Sequence, residues 1–193
     1  DIVDINMGCP AKKVTGGWAG SALMRDLDHA IALVEAAVAA TSVPVTVKMR
    51  LGWDDASRNA PELARRAVDA GARMITVHGR TRQQFYKGTA DWRAIAAVRA
   101  AGAFPLVANG DIHDVADARA CLEQSGADFV MVGRAALGRP WLVGAIGAAL
   151  DGRAFPPLTL AEKLALACEH YEGLLSLMGV AHGVRHARKH LAS

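Results

Sequence analysis

Cysteine is scarce in this 193-residue chain: Cys9, Cys121 and Cys168 are three in number, far apart, and form no CxxC pair. That speaks against a disulfide framework and against a structural zinc site. It fits a reducing compartment, the cytoplasm. Long apolar runs are missing as well, and no stretch approaches the roughly 20 residues that a membrane-spanning helix needs. The start, Asp1-Ile2-Val3-Asp4, lacks a leader layout. It also lacks an initiator Met, and the chain opens at once in a strand-like run and closes inside a helical pattern at Lys189-His190-Leu191-Ala192-Ser193. A piece of a longer protein is expected. Low-complexity segments, HExxH and a helix-turn-helix pattern are absent, so neither a zinc protease nor a DNA reader is indicated. Charge of one sign is only slightly in excess, at +3 with a pI near 8.9, which permits an anionic partner without demanding one.

What is present is an ordinary globular composition, 52% hydrophobic and 21% charged. Short β-branched runs alternate with longer helical stretches. The runs are Ile2–Asn6, Val45–Met49, Met74–Val77, Leu106–Ala108 and Phe129–Val132. They are mostly apolar throughout, which predicts parallel strands covered on both faces. Helices are predicted over Ser21–Ala40 with a cap at Ser21, and over Ala60–Ala70, Trp92–Ala100 and Val115–Gln124. Gly71, Gly102 and Gly126 stand where C-terminal glycines belong. After Phe155-Pro156-Pro157 two helical stretches follow, Leu160–Leu177 and Val180–Leu191, with no strand between them. The expected domains are therefore residues 1–155, α/β, and residues 158–193, the start of an all-α domain.

Five consecutive βα units suit either a TIM (β/α)8 barrel or a doubly wound sheet. The polar residues favour the barrel. Asn6, Lys48 with Arg50, His78, Asn109 with Asp111, and Arg134 all fall at C-terminal strand ends, one set per strand, whereas a doubly wound sheet gathers its site at one switch point. A barrel represented by its last five βα units is expected, with three strands preceding Asp1.

Several of these positions carry chemistry. Cys9 lies on a Gly8-Cys9-Pro10 turn just past a strand end, which presents its thiol at the mouth of a site, although a lone Cys is often a small buried hydrophobe. Lys48 and Arg50, two apart, share a strand face, and buried cations need anions or a polar ligand. His78 ends the next strand beside a basic loop of Arg80, Arg82 and Lys87, a loop that is either solvated or in contact with phosphates. Asn109-Gly110-Asp111 and Gly133-Arg134 close the last two strands, where barrels often build a phosphate site from backbone N–H groups. His182, His186 and His190 line one helix face, but Arg185, Arg188 and Lys189 beside them disfavour a metal; the face either meets an RNA backbone, the better reading, or is simply solvated. No metal site is expected.

Taken in order, Asp4-Ile5-Asn6-Met7-Gly8-Cys9-Pro10-Ala11-Lys12-Lys13-Val14, Ala19-Gly20-Ser21-Ala22-Leu23, Val45 to Arg50, His78-Gly79-Arg80-Thr81-Arg82, Ala108-Asn109-Gly110-Asp111-Ile112, Gly133-Arg134-Ala135-Ala136, Gly138-Arg139-Pro140-Trp141 and Ala187-Arg188-Lys189-His190 resemble the tRNA-dihydrouridine synthase family, its bacterial B-type branch above all. The resemblance implies an FMN-containing barrel followed by a helical RNA-binding domain, with NADPH as reductant and tRNA as substrate. It implies hydride transfer to C6 of a flipped-out uracil and protonation of C5 by Cys9. It assigns Lys48 and His78 to the flavin ring, and Asn109, Gly110, Asp111, Gly133 and Arg134 to its ribityl chain and phosphate. Asn6 and Arg50 are assigned to the uracil, and Arg185, Arg188 and Lys189 to the RNA. Position 17 of tRNA is the target that the B-type resemblance suggests.

Two other classes compete. A different FMN barrel, of the dihydroorotate dehydrogenase or old-yellow-enzyme kind, shares the glycine loops and the strand-end Lys but is not expected to carry Gly-Cys-Pro with a basic C-terminal helix. A non-catalytic RNA-binding or regulatory protein would need none of the strand-end residues.

Overall fold

In the computed structural model, which describes residues 1–192, the strands form where β-branched and apolar residues cluster. In chain order the elements are β1 (Val3–Met7), α1 (Lys12–Thr15), α2 (Leu27–Ala40), β2 (Val45–Arg50), α3 (Ala60–Asp69), β3 (Met74–His78), α4 (Trp92–Ala100), β4 (Leu106–Asn109), α5 (Val115–Ser125), β5 (Phe129–Met131), α6 (Trp141–Leu150), α7 (Leu160–Met178) and α8 (Val180–Leu191). All neighbouring strands run parallel, and their order across the sheet is β1-β2-β3-β4-β5. Sequential order leaves no switch point. It is the winding of barrel staves and differs from a doubly wound sheet, where the order reverses.

The pairing register separates the sheet's two faces. Val45, Val47, Met49, Ile75, Val77, Leu106 and Ala108 point one way and are all 2% exposed or less. Ile31 and Val34 of α2, Leu63, Ala64 and Ala67 of α3, Ile95 and Val98 of α4, and Ala118 and Cys121 of α5 are buried with them. A fully buried Val, Leu or Ile side chain contributes about 1.5–3 kcal/mol, so this layer carries the unit's stability. The other face is polar. Asn6 pairs with Lys48, Lys48 with Thr76, Arg50 with His78, and His78 with Asn109. β1, β2 and β3 thus alternate, contrary to the expectation of runs apolar on both faces, whereas β4 and β5 are apolar throughout except for Asn109. The short polar residues Thr46 and Thr76 were masked in sequence by their β-branched character.

One expected helix divides. Residues Gly20–Arg25 make a 3-10 turn, the chain breaks at Asp26, and α2 starts at Leu27. The cap is Asp26, whose carboxylate accepts from His29 N at 3.0 Å. Ser21, expected to be that cap, has a different role described below.

By its internal contacts the chain separates into two compact units. One is Asp1–Ile112 with Asp117–Met131, and the other is His113–Ala116 with the chain from Val132 onward. In the second unit α7 opens with a reciprocal cap between Thr159 and Glu162. Gly183 of α8 sits so close to α7 that a Cβ there would lie 2.8 Å from Leu174 O. Among the described residues, no helix is long and apolar enough to cross a membrane.

Candidate active site

Cys9 stands in the loop that follows β1, and that loop is held from three sides. Asn6 Oδ1 accepts from the backbone N–H groups of Gly8 and Cys9, at 3.0 Å each, closing an Asx turn. Arg50, 2% exposed, donates from Nε to Gly8 O at 2.8 Å. Ser21 donates its N–H and its hydroxyl to Cys9 O, at 3.0 and 2.9 Å. Gly20 is obligatory beside it: at φ 58° a Cβ would lie 2.7 Å from Cys9 O. The thiol is thereby presented, half-buried, from a backbone with little freedom.

Arg50 has structural work that the sequence did not announce. Its guanidinium also donates from Nη1 to the carbonyls of Thr81 and Phe85, at 2.9 and 2.8 Å. It is a clamp that joins the loops after β1 and β3, and buried charge is stabilised by such carbonyl bonds. Asp111, assigned to the cofactor, is likewise engaged. Its carboxylate takes a forked ion pair from Arg80, at 3.0 and 2.5 Å, and accepts from Ala90 N at 2.8 Å. Arg80 in turn donates to Lys87 O and Gly88 O and is only 1% exposed, so it is not a surface phosphate contact.

Lys48, His78 and Asn109 line the polar face. Lys48 is half-buried, and burial followed by the charge of Arg50 pulls its ammonium below the usual lysine range, with Asp4 opposing. No carboxylate forms an ion pair with Lys48 among the described residues. His78 is buried, and its Nδ1 has no hydrogen-bond partner. Burial first, then Arg50, Lys48 and Arg80, push its pKa down to about 3, so the imidazole is neutral. Asn109 donates from Nδ2 to Met131 O at 2.8 Å. Gly110 has φ 122°, and a Cβ there would lie 2.8 Å from Ala90 Cβ and 3.2 Å from His78 Cε1. Only glycine lets the β4 loop pass over the imidazole.

The remaining assigned residues lie in the second unit. Gly133 and Arg134 are exposed in the turn after β5. Arg185, Arg188 and Lys189 are exposed on α8, whose Gly183 and Ala187 are buried. His190 meets the ring of His170 edge-on at 4.5 Å, while His182 and His186 are exposed.

A strand-end row of lysine, neutral histidine and asparagine thus stands in one unit with a presented thiol. The family model described as dihydrouridine synthase matches residues 1–193. The chain belongs to the dihydrouridine synthase family. A probable tRNA-dihydrouridine synthase of Rhodobacter capsulatus is 60% identical over 99% of this chain and 59% of its own length. One from Rhizobium leguminosarum bv. phaseoli is 56% identical over 99% and 58%. tRNA-dihydrouridine synthase B of Xanthomonas axonopodis pv. citri is 50% identical over 98% and 58%. The chain spans just under three-fifths of the length of these dihydrouridine synthases. A solved mandelate oxidase aligns over 77% of this chain and 55% of its own at 21% identity, with a TM-score of 0.44, a likeness too distant to carry an argument.

Sequence reasoning missed Ser21 and Gly20 as the supports of Cys9, and missed the Arg80–Asp111 pair. Each of these contacts joins residues 11 or more positions apart. The available signal was local: a Gly-Ser pair directly after the Cys9 loop, and an Arg two residues past the His78 strand end.

Proposed function

We propose that the protein is a tRNA-dihydrouridine synthase acting in the cytoplasm. It reduces the C5=C6 bond of uridines in tRNA with FMN as cofactor and NADPH as reductant, in a (β/α)8 barrel completed beyond these five units. Residues 1–155 supply the catalytic domain and residues 158–193 the start of a helical RNA-binding domain. The observation that carries this reading is the thiol of Cys9, fixed by Asn6, Arg50 and Ser21 beside a strand-end row that suits a flavin.

The residues fit a flavin. An unpaired half-buried lysine offers positive charge to the electron-rich edge of the ring, and charge there tunes a flavin's electronics. The orphaned Nδ1 of buried His78 lacks the partner that a polar ring atom would provide. Asn109, Gly110, Gly133 and Arg134 are proposed for the ribityl phosphate end, where backbone N–H groups and a guanidinium suit a phosphate. Reduced flavin supplies the hydride that adds to C6 of the uracil.

Cys9 gives its proton to C5 as C6 gains the hydride, so the double bond becomes a single bond and a thiolate remains for solvent to reprotonate. Asn6, whose Oδ1 is engaged in the loop, has its amide donors left for a uracil carbonyl. The uridine must leave its stack to reach this rim. Arg185, Arg188 and Lys189 on α8 are proposed to meet the RNA backbone, with binding that weakens as salt rises.

The test is mass spectrometry of tRNA from cells lacking the gene that encodes this chain. Loss of dihydrouridine at a defined position, with position 17 expected, supports the reading. An unchanged dihydrouridine map overturns it.

A further inference from the structure

On the loops that follow β1, β2 and β3, the first of which carries Cys9, lies a layer of arginines and aromatic rings that the chemistry above does not use. Arg25 lies over Trp18 at 5.2 Å and over Trp53 at 4.9 Å. Arg82 lies over the same Trp53 at 4.6 Å and over Phe85 at 5.0 Å. The stack therefore runs Trp18, Arg25, Trp53, Arg82, Phe85. Its members come from the segments that follow β1, β2 and β3, on the strand ends where Cys9, Arg50 and His78 stand.

Three observations set this layer apart from ordinary packing. Its outer ring, Trp18, is 53% exposed. Trp18 and Phe85 have φ of 56° and 53°, a left-handed conformation that aromatic residues adopt at a cost and keep where the surroundings impose it. Neither Arg25 nor Arg82 has an ion-pair partner among the described residues, and Arg82 Nε is buried without any acceptor. Exposed indole, unpaired guanidinium and an unsatisfied N–H together call for a ligand that has both a π face and an anion. An unpaired nucleotide has both.

We infer that the Trp18–Arg25–Trp53–Arg82 stack is a shelf for an unpaired nucleotide flanking the reactive uridine. Its base lies against the Trp18 indole, and its phosphate is taken by the guanidiniums of Arg25 and Arg82. The inference rests on the proposed action on tRNA and deepens it. Flipping a uridine to Cys9 leaves its neighbour without a stacking partner, and the shelf supplies one. Such stacking is tolerant of base identity, because every base has a π face.

Trp18→Gly separates this role from a structural one. Glycine suits φ 56° better than tryptophan does, so the substitution removes the ring and relieves the backbone together. Binding of an unmodified tRNA transcript by the purified protein would be measured by filter retention, with Trp18→Phe as the conservative variant and inorganic polyphosphate as competitor. Trp18→Gly is expected to bind the transcript roughly tenfold more weakly, the scale of one lost base stack. Its melting temperature should stay within about 3 °C of the parent's. Trp18→Phe should bind nearly as the parent does. Polyphosphate should compete far less well than RNA of equal charge.

Unchanged affinity in Trp18→Gly would overturn the shelf and leave the proposed reaction standing. A comparable loss of affinity accompanied by a large fall in melting temperature would show a packing role instead and overturn it too. Equal competition by polyphosphate would reduce the site to electrostatics. A parent protein that neither binds the transcript nor forms dihydrouridine would overturn the shelf together with the reaction.

Discussion

Ser21 gives both its backbone N–H and its hydroxyl to the carbonyl of Cys9, at 3.0 and 2.9 Å. A residue 12 positions downstream thus fixes the peptide that carries the thiol. Ser21→Ala keeps the backbone bond and loses the hydroxyl. A neutral hydrogen bond is worth about 1 kcal/mol, so the rate of dihydrouridine formation should fall about fivefold. Flavin content should be unchanged, and Ser21→Thr should restore most of the rate. Single-turnover kinetics at saturating tRNA measure this, and a full rate in Ser21→Ala would show that the hydroxyl does not position Cys9.

Arg80 and Asp111 form a pair with side-chain exposures of 2% and 19%. Removing one partner of a buried pair leaves an uncompensated charge. Asp111→Asn should therefore destabilise the protein by about 3 kcal/mol, near the low end of the range for buried pairs because Arg80 retains two carbonyl partners. Urea unfolding gives the number. A loss within about 0.5 kcal/mol, the range of ordinary surface substitutions, would mean that the pair does not organise the β3 and β4 loops.

His78 titrates at about 3 in the folded protein against an ordinary histidine value of 6.5. Below pH 6.5 the unfolded chain therefore binds a proton that the folded chain refuses. Stability from this group is full above pH 6.5 and falls as pH drops toward 3, by about 1.4 kcal/mol per pH unit. His78→Asn should flatten that part of the stability profile. Urea midpoints measured from pH 7 to pH 4 check it, and an unaltered slope in His78→Asn would place the titration elsewhere.

Much of this architecture was legible in the sequence. Apolar runs located all five strands to within a residue, and polar residues at their ends located the rim. Tertiary contacts decided the rest. The stretch from Ser21 to Ala40 has a continuous helical pattern, yet Asp26 offered a better cap than Ser21, and Cys9 claimed Ser21. Arg50 and Asp111 stand where ligand residues stand, and their protein partners lie on other loops, out of reach of any local pattern. Stacking of Trp18, Arg25, Trp53 and Arg82 crosses three loops, so no local pattern announces it.

The three cysteines should differ in reactivity. Cys121 is fully buried, and burial pushes its thiol up to about 12. Cys9 is half-buried and Cys168 exposed. Thiolate is the reactive form, so iodoacetamide on the native protein should label Cys9 and Cys168 and spare Cys121. Peptide mass spectrometry reads the sites. Labelling of Cys121 before Cys9 would contradict the described core.

The most direct measurement is the dihydrouridine content of unmodified tRNA after incubation with NADPH and the FMN-loaded full-length protein that contains this chain, comparing the parent with Cys9→Ala. Removing a positioned general acid costs about 10²–10⁴-fold in rate. The expected result is dihydrouridine from the parent and a loss of that size in Cys9→Ala, with flavin and tRNA still bound. Dihydrouridine formation at the parent's rate by Cys9→Ala would contradict the account.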